Sequence, residues 1–147
     1  MTAYDIKVLE QAVAHNTGGR NGHSATDDGS VSVNLSVRKG MGGPGLPDTT
    51  TPEHLFAAGY AACFGGAVDF VASQHKVNIP DAKITCKVSV GPRNGGGFGI
   101  AVEMKVTAKS LPTAELKKLV EEAHEMVCPY SHATRGNIPF HLEVEGA

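Results

Sequence analysis

The stretch from Thr51 to Gln74, TPEHLFAAGYAACFGGAVDFVASQ, constrains this chain more than any other. Thr51 suits the residue that caps a helix, and Pro52 suits the first turn, where its missing N–H costs nothing. No charged residue occurs from Leu55 to Val68, which predicts a helix apolar on every face and therefore buried all round. The uncharged run is shorter than the roughly 20 residues of a membrane span, and Asp69 interrupts it. A core helix with no membrane partner is the expectation. Cys63 lies near its middle, among Ala61, Ala62, Gly65, Gly66 and Ala67. Such small residues let another backbone approach closely, so the helix reads as a core element built around a thiol.

A chain of 147 residues is most simply one domain, 1–147, able to bury about 70% of its unfolded surface. The net charge of −2 and the lack of a basic stripe argue against a nucleic-acid partner. The opening MTAYDIKVLEQ alternates and forms no apolar targeting region, so a cytoplasmic setting is expected. Thiols are kept reduced there. The three cysteines then suggest redox, metal or catalytic roles, or plain packing, before a structural staple.

In chain order, Tyr4, Ile6 and Val8 alternate with polar residues and predict a half-buried strand continuing through Val13. Gly18–Gly22 forces a turn, from which His23 to Thr26 returns antiparallel. Asp28-Gly29 signals a hairpin, and Val31, Val33, Leu35 and Val37 mark the next strand. The glycine-rich loop 40–50 is long enough to suggest a functional or mobile segment. Beyond the central helix, Ile84, Cys86, Val88 and Val90 share one strand face. Phe98, Ile100, Val102, Met104 and Val106 share another, across the loop PRNGGGFG.

Pro112 and Thr113 start an amphipathic helix with Leu116, Leu119, Val120, Ala123 and Val127 at helical spacing, stopped by Cys128-Pro129. Residues 130–136 read as irregular or a single turn, and Ile138, Phe140, Leu142 and Val144 as a final strand. Strands in runs, without βαβ alternation, predict an α+β fold of antiparallel sheets wrapped around the long buried helix. Two three-stranded sheets and one amphipathic helix are a thin cover for it. A second copy, in an isologous homodimer, would complete the cover; loops and the second helix are the alternative.

Cys63 and Cys128 are the candidates for a reactive pair. Cys86 occupies an inward strand position and reads as packing. Cys128 stands where proline breaks a helix, and the negative partial charge of a helix C-terminus disfavours a thiolate there. That makes it a poor first nucleophile and an acceptable second thiol. Cys63 gains no dipole help mid-helix and needs a cation. Arg20, in the turn Gly-Gly-Arg-Asn-Gly, offers a rigid fork able to hold a thiolate and a carboxylate together. Glu53, in the first turn of the central helix, is the candidate carboxylate, although ordinary N-terminal helix electrostatics also explains it.

Glu53 and Cys63 are ten residues apart, about 15 Å along a helix. One straight helix cannot bring them together. Two helices crossing antiparallel at Ala57-Ala58-Gly59 would place Glu53 of one chain near Cys63 of the other; a bent helix start is the alternative. No CxxC or HxxxH spacing supports a metal site, and none of His54, His124 and His132 has a recognisable hydrolase setting. A redox sensor would use the same cysteines, and differs from an enzyme in consuming one equivalent of oxidant.

GGRNG (18–22), PEHLFAAGYAACF (52–64), NGGGFG (94–99) and HEMVCPYSHATRGNI (124–138) together resemble the organic hydroperoxide resistance (Ohr) family of the OsmC-like superfamily. The resemblance runs in the same order from about residue 18. It implies a thiol peroxidase acting on organic hydroperoxides, an intertwined homodimer, and re-reduction by an external dithiol, dihydrolipoamide or a lipoylated protein, with no bound cofactor. Carried over by residue, it implies Cys63 as the peroxidatic cysteine and Cys128 as the resolving one. Arg20 then stabilises the thiolate and Glu53 orients the arginine. Cys86 is outside that pattern, and His54 stands where glutamine is common. An alkyl hydroperoxide needs an apolar pocket, for which Phe64, Phe98, Met126, Tyr130 and the 40–50 loop are available. The OsmC branch of the superfamily would share this chemistry with a different substrate range.

Overall fold

The computed structural model describes residues 5–147; Tyr4, at the start of the expected opening strand, lies outside them. The chain packs as two compact units, Met1–Pro52 and Glu53–Ala147, and the described residues form two three-stranded sheets.

The first unit holds β1 (Ala14–Thr17), β2 (His23–Thr26) and β3 (Ser32–Asn34). β2 returns antiparallel to β1 as expected, with Ala14 opposite Thr26 and Thr17 opposite His23. A 3-10 turn, Gly19–Asn21, joins them behind Gly18 at φ 84°. A Cβ on Gly22 would lie 1.8 Å from the Thr17 carbonyl oxygen, so only glycine fits there. The opening strand is not as expected: residues 5–13 form none, and Ile6, Val8 and Leu9 are 71%, 57% and 85% exposed. Alternation marks a strand only where a neighbour accepts its hydrogen bonds, and that begins at Ala14. The strand expected over 31–37 narrows to β3. Beyond it, the Ser36 hydroxyl accepts from Leu46 N–H at 2.9 Å and from the Thr49 hydroxyl at 3.0 Å, tying down the 40–50 loop.

α1 (Pro52–Gln74) starts at the proline, as its sequence predicts. Tyr60, Phe64, Ala67, Val68, Val71 and Ala72 recur at helical spacing and form its buried face. They pack with Val102, Met104 and Val106 of β5 (Phe98–Thr107) and Leu116, Leu119 and Val120 of α2 (Thr113–Glu122). Each fully buried large side chain stabilises by about 1.5–3 kcal/mol. The opposite face is not buried: Ala58, Ala62, Gly66 and Asp69 are exposed, as are Leu55 at 37% and Phe70 at 53%. One chain therefore covers one side of α1, not all of it. By length and composition alone the 23 residues of α1 are enough to cross a bilayer, a property that core helices share.

β4 (Lys83–Pro92) pairs antiparallel with β5, Lys83 opposite Thr107, and its inward face carries Ile84, Cys86, Val88 and Val90 as expected. β6 (Phe140–Glu145) joins β5 in parallel, Val102 opposite Phe140 and Thr107 opposite Glu145. The sheet is mixed rather than purely antiparallel. α2 and α3 (Pro129–Thr134) carry the chain back along β5, and a crossover of that kind returns the next strand parallel.

Candidate active site

Cys128 is put in place by two local features. α2 widens at its end into a single π turn, Ala123–Val127, closed by the Cys128 N–H on the Ala123 carbonyl at 2.8 Å. Pro129 then disfavours helical geometry in the residue before it, and Cys128 turns to φ −67°, ψ 116°. From there its Sγ accepts the Ser131 N–H at 3.4 Å. α3 starts on Pro129, where proline is at home. Cys128 thus ends one helix and caps the next, which corrects the expectation of a C-terminal position alone.

The Sγ atoms of Cys63 and Cys128 stand 3.7 Å apart, and both cysteines are free. Cys128 is 1% exposed; Cys63 is half-buried. Burial pushes the Cys63 thiol above its ordinary pKa, a backbone hydrogen bond with Tyr130 draws it down, and the adjoining Cys128 adds to the rise. Cys86 sits opposite Met104, its thiol raised by burial alone. That is the packing position expected of it.

Arg20 lies in the 3-10 turn of the first unit. Asn16 braces that turn: its Nδ2 donates to the carbonyls of Gly19 and His23, each at 3.2 Å, and its Oδ1 accepts the Gly19 N–H at 2.8 Å. Glu53 lies in the first turn of α1, so along that helix it stays about 15 Å from Cys63 of the same chain. Phe64, expected to line a pocket, is fully buried. It meets Tyr60 edge-on at 6.3 Å and the His124 ring at 6.2 Å, which makes it a core residue. Phe98, Met126 and Tyr130 remain 69%, 77% and 40% exposed.

Two features were missed from sequence. Arg135, in the TRGNI motif, donates to the carbonyls of His124 at 3.1 Å and Glu125 at 3.0 Å, satisfying oxygens that the end of α2 leaves without helical partners. Tyr60, Ser131 and His124 form a polar chain through the interior. The Tyr60 hydroxyl lies 2.9 Å from Ser131 Oγ, which lies 2.9 Å from His124 Nδ1. His124 falls four residues after Val120 and eight after Leu116, so a polar ring on the apolar stripe of α2 was the readable signal. Burial lowers its pKa, Arg135 lowers it further, and Glu125 opposes both.

A family profile described as OsmC-like protein matches residues 43–143. The chain is 49% identical over 133 residues to an organic hydroperoxide resistance protein of Xanthomonas axonopodis pv. citri, covering 90% of this chain and 92% of that one. A solved organic hydroperoxide resistance protein from Legionella pneumophila superimposes with a TM-score of 0.89 at 42% identity, over 95% of this chain and 99% of that one. A further one from Vibrio cholerae, with captopril bound in one of its active sites, gives 0.89 at 40% identity, over 97% and 96%. The chain belongs to the OsmC-like family, and within it to the organic hydroperoxide resistance proteins.

Proposed function

We propose that the protein reduces organic hydroperoxides to alcohols through a peroxidatic Cys63 and a resolving Cys128. The observation that carries this reading is the 3.7 Å separation of the two sulfurs. The Cys63 thiolate attacks a peroxide oxygen, the O–O bond breaks, and the alkoxide leaves and takes a proton. Cys63 becomes a sulfenic acid. The Cys128 thiolate attacks that sulfur and hydroxide departs, leaving a disulfide. An external dithiol, dihydrolipoamide or a lipoylated protein, restores both thiols by exchange and is itself oxidised. No resident cofactor enters the cycle.

Arg20 stabilises the Cys63 thiolate and Glu53 orients its guanidinium. The thiol raised by burial supports this role, since a cation is what such a thiol needs in order to react near neutral pH. A homodimer supplies the missing cover for α1: its face through Ala58 and Ala62 lacks one within a chain, and antiparallel crossing there brings Glu53 of one copy toward Cys63 of the other. Exposed Phe98, Met126 and Tyr130 offer apolar surface to the alkyl group. The cytoplasm, rich in reduced dithiols, suits the cycle.

The test is hydroperoxide consumption with dihydrolipoamide as donor, against glutathione and thioredoxin. Many equivalents per mole with dihydrolipoamide support the reading. A single equivalent with every donor would make the protein a sensor.

A further inference from the structure

The two cysteines are joined by more than their own contact. Tyr60 stands three residues before Cys63 on α1, and its hydroxyl lies 2.9 Å from Ser131 Oγ and 3.3 Å from Thr134 Oγ1 on α3. The Thr134 hydroxyl donates to the Tyr130 carbonyl at 2.9 Å. Ser131 Oγ continues to His124 Nδ1 in the π turn, and the His124 ring stacks on Phe140 at 4.3 Å. The chain ties together the helix bearing Cys63 and the two turns that flank Cys128. Tyr60 and Ser131 are fully buried. Polar groups at such depth add little net stability over apolar ones of the same shape, while a fully satisfied network fixes one arrangement. What this one fixes is Ser131, whose backbone N–H lies on the Cys128 sulfur.

We propose that Tyr60, Ser131 and His124 are positioning residues for the resolving thiol, holding the Ser131 N–H on Cys128 Sγ while that sulfur gains and releases negative charge. This rests on the reading of Cys63 and Cys128 as a peroxidatic pair. Two steps use the N–H. In the first, the Cys128 thiolate attacks the sulfenic sulfur of Cys63, the S–S bond forms and hydroxide leaves. In the second, the donor dithiol attacks the disulfide. Cys128 is 1% exposed, so the donor meets Cys63 Sγ. A donor–Cys63 bond forms, the Cys63–Cys128 bond breaks, and the electron pair goes to Cys128. A thiolate that is better stabilised leaves faster, and the N–H is already directed at it. The donor's second thiolate then displaces Cys63, so that two electrons pass from donor to protein. The oxidation of Cys63 by hydroperoxide precedes both steps, and no bond to Cys128 forms or breaks in it.

The experiment separates these steps in the full chain. Disulfide formation after one equivalent of cumene hydroperoxide is followed by rapid quench and intact mass, and re-reduction by dihydrolipoamide is followed separately. Tyr60→Phe removes one hydroxyl, and His124→Leu removes the far end of the chain. Each is expected to slow both Cys128 steps roughly tenfold, the worth of one hydrogen bond to a charged group, with Cys63 oxidation within about twofold. His124→Gln keeps a group able to donate to Ser131 and should recover most of the loss. Val71→Ala, a buried truncation eleven residues along α1 from Tyr60, is the control for destabilisation. Equal slowing of all three steps, equal slowing by Val71→Ala, or no slowing in Tyr60→Phe would overturn the proposal. If the unsubstituted protein forms no Cys63–Cys128 disulfide, the peroxidatic reading itself fails and takes this one with it.

Discussion

Replacing Arg135 tests whether the π turn, rather than its sequence, sets the geometry of Cys128. The guanidinium spans the His124 and Glu125 carbonyls at 3.1 and 3.0 Å, and the residue is exposed. Each hydrogen bond is worth about 0.5–1.5 kcal/mol net, and exposure places these in the lower half, because water replaces the donor. Arg135→Ala should therefore cost about 1–2 kcal/mol, or about 3–6 °C in midpoint for a chain of this size. Arg135→Lys keeps the charge but cannot fork across two carbonyls, and should recover less than half of that loss.

Arg135 also helps hold the His124 pKa below its ordinary value, behind burial as the larger cause. A base with a lowered folded pKa contributes stability that is complete above its unfolded value, about 6.5. That stability is lost as pH falls from there through the folded value. Arg135→Ala removes one cause of the lowering, so its stability should fall less steeply between neutral pH and pH 5 than that of the unsubstituted protein. Thermal unfolding across that range, with the rate of disulfide formation beside it, is the assay. An unchanged midpoint together with an unchanged rate would refute the capping argument; full recovery by lysine would refute the fork.

Cys63→Ser should abolish hydroperoxide reduction with the fold kept, and Cys128→Ser should react once and stall as a sulfenic acid; intact mass separates the two. Cys86→Ala should lose about 1 kcal/mol of stability and no activity, read from a melt and a steady-state assay on the same preparation. Asp28 accepts from Ser30 N–H, from the Thr26 hydroxyl and from the Ser30 hydroxyl, which bring its pKa down to about 2; a carboxyl NMR titration with a midpoint near 4 would contradict that turn. In heterodimers of Cys63→Ser with Glu53→Ala chains, about half of wild-type activity is expected if each site draws Glu53 from the partner. A rate no higher than that of the Glu53→Ala site alone would place both residues in one chain.

The α1 boundary was legible because Thr51-Pro52 is a start signal that tertiary structure rarely overrides, and the inward strand faces because a period of two survives in any sheet. Strand direction was not. The alternation of Phe140, Leu142 and Val144 is identical whether β6 runs with or against β5, and only the return path through α2 and α3 decides it. Ile6 and Val8 carry an equally good alternation with no pairing strand among the described residues. The π turn was hidden because one extra residue before Pro129 leaves the apolar spacing of α2 intact. The cysteine pair was visible through its motifs. Its support was not, since a tyrosine, a serine and a histidine 71 and 64 residues apart from Tyr60 share no local pattern.

The parallel pairing of β6 bears on when the chain becomes reactive during synthesis. β5 is made well before the strand that flanks it, and Phe140, which stacks on His124, belongs to that late strand. A nascent chain in which Cys63 and Cys128 have already been made therefore still lacks the ring against which His124 rests. Until residues 140–145 are made, β6 cannot pair with β5, and the edge of β5 from Val102 to Thr107 has no strand beside it.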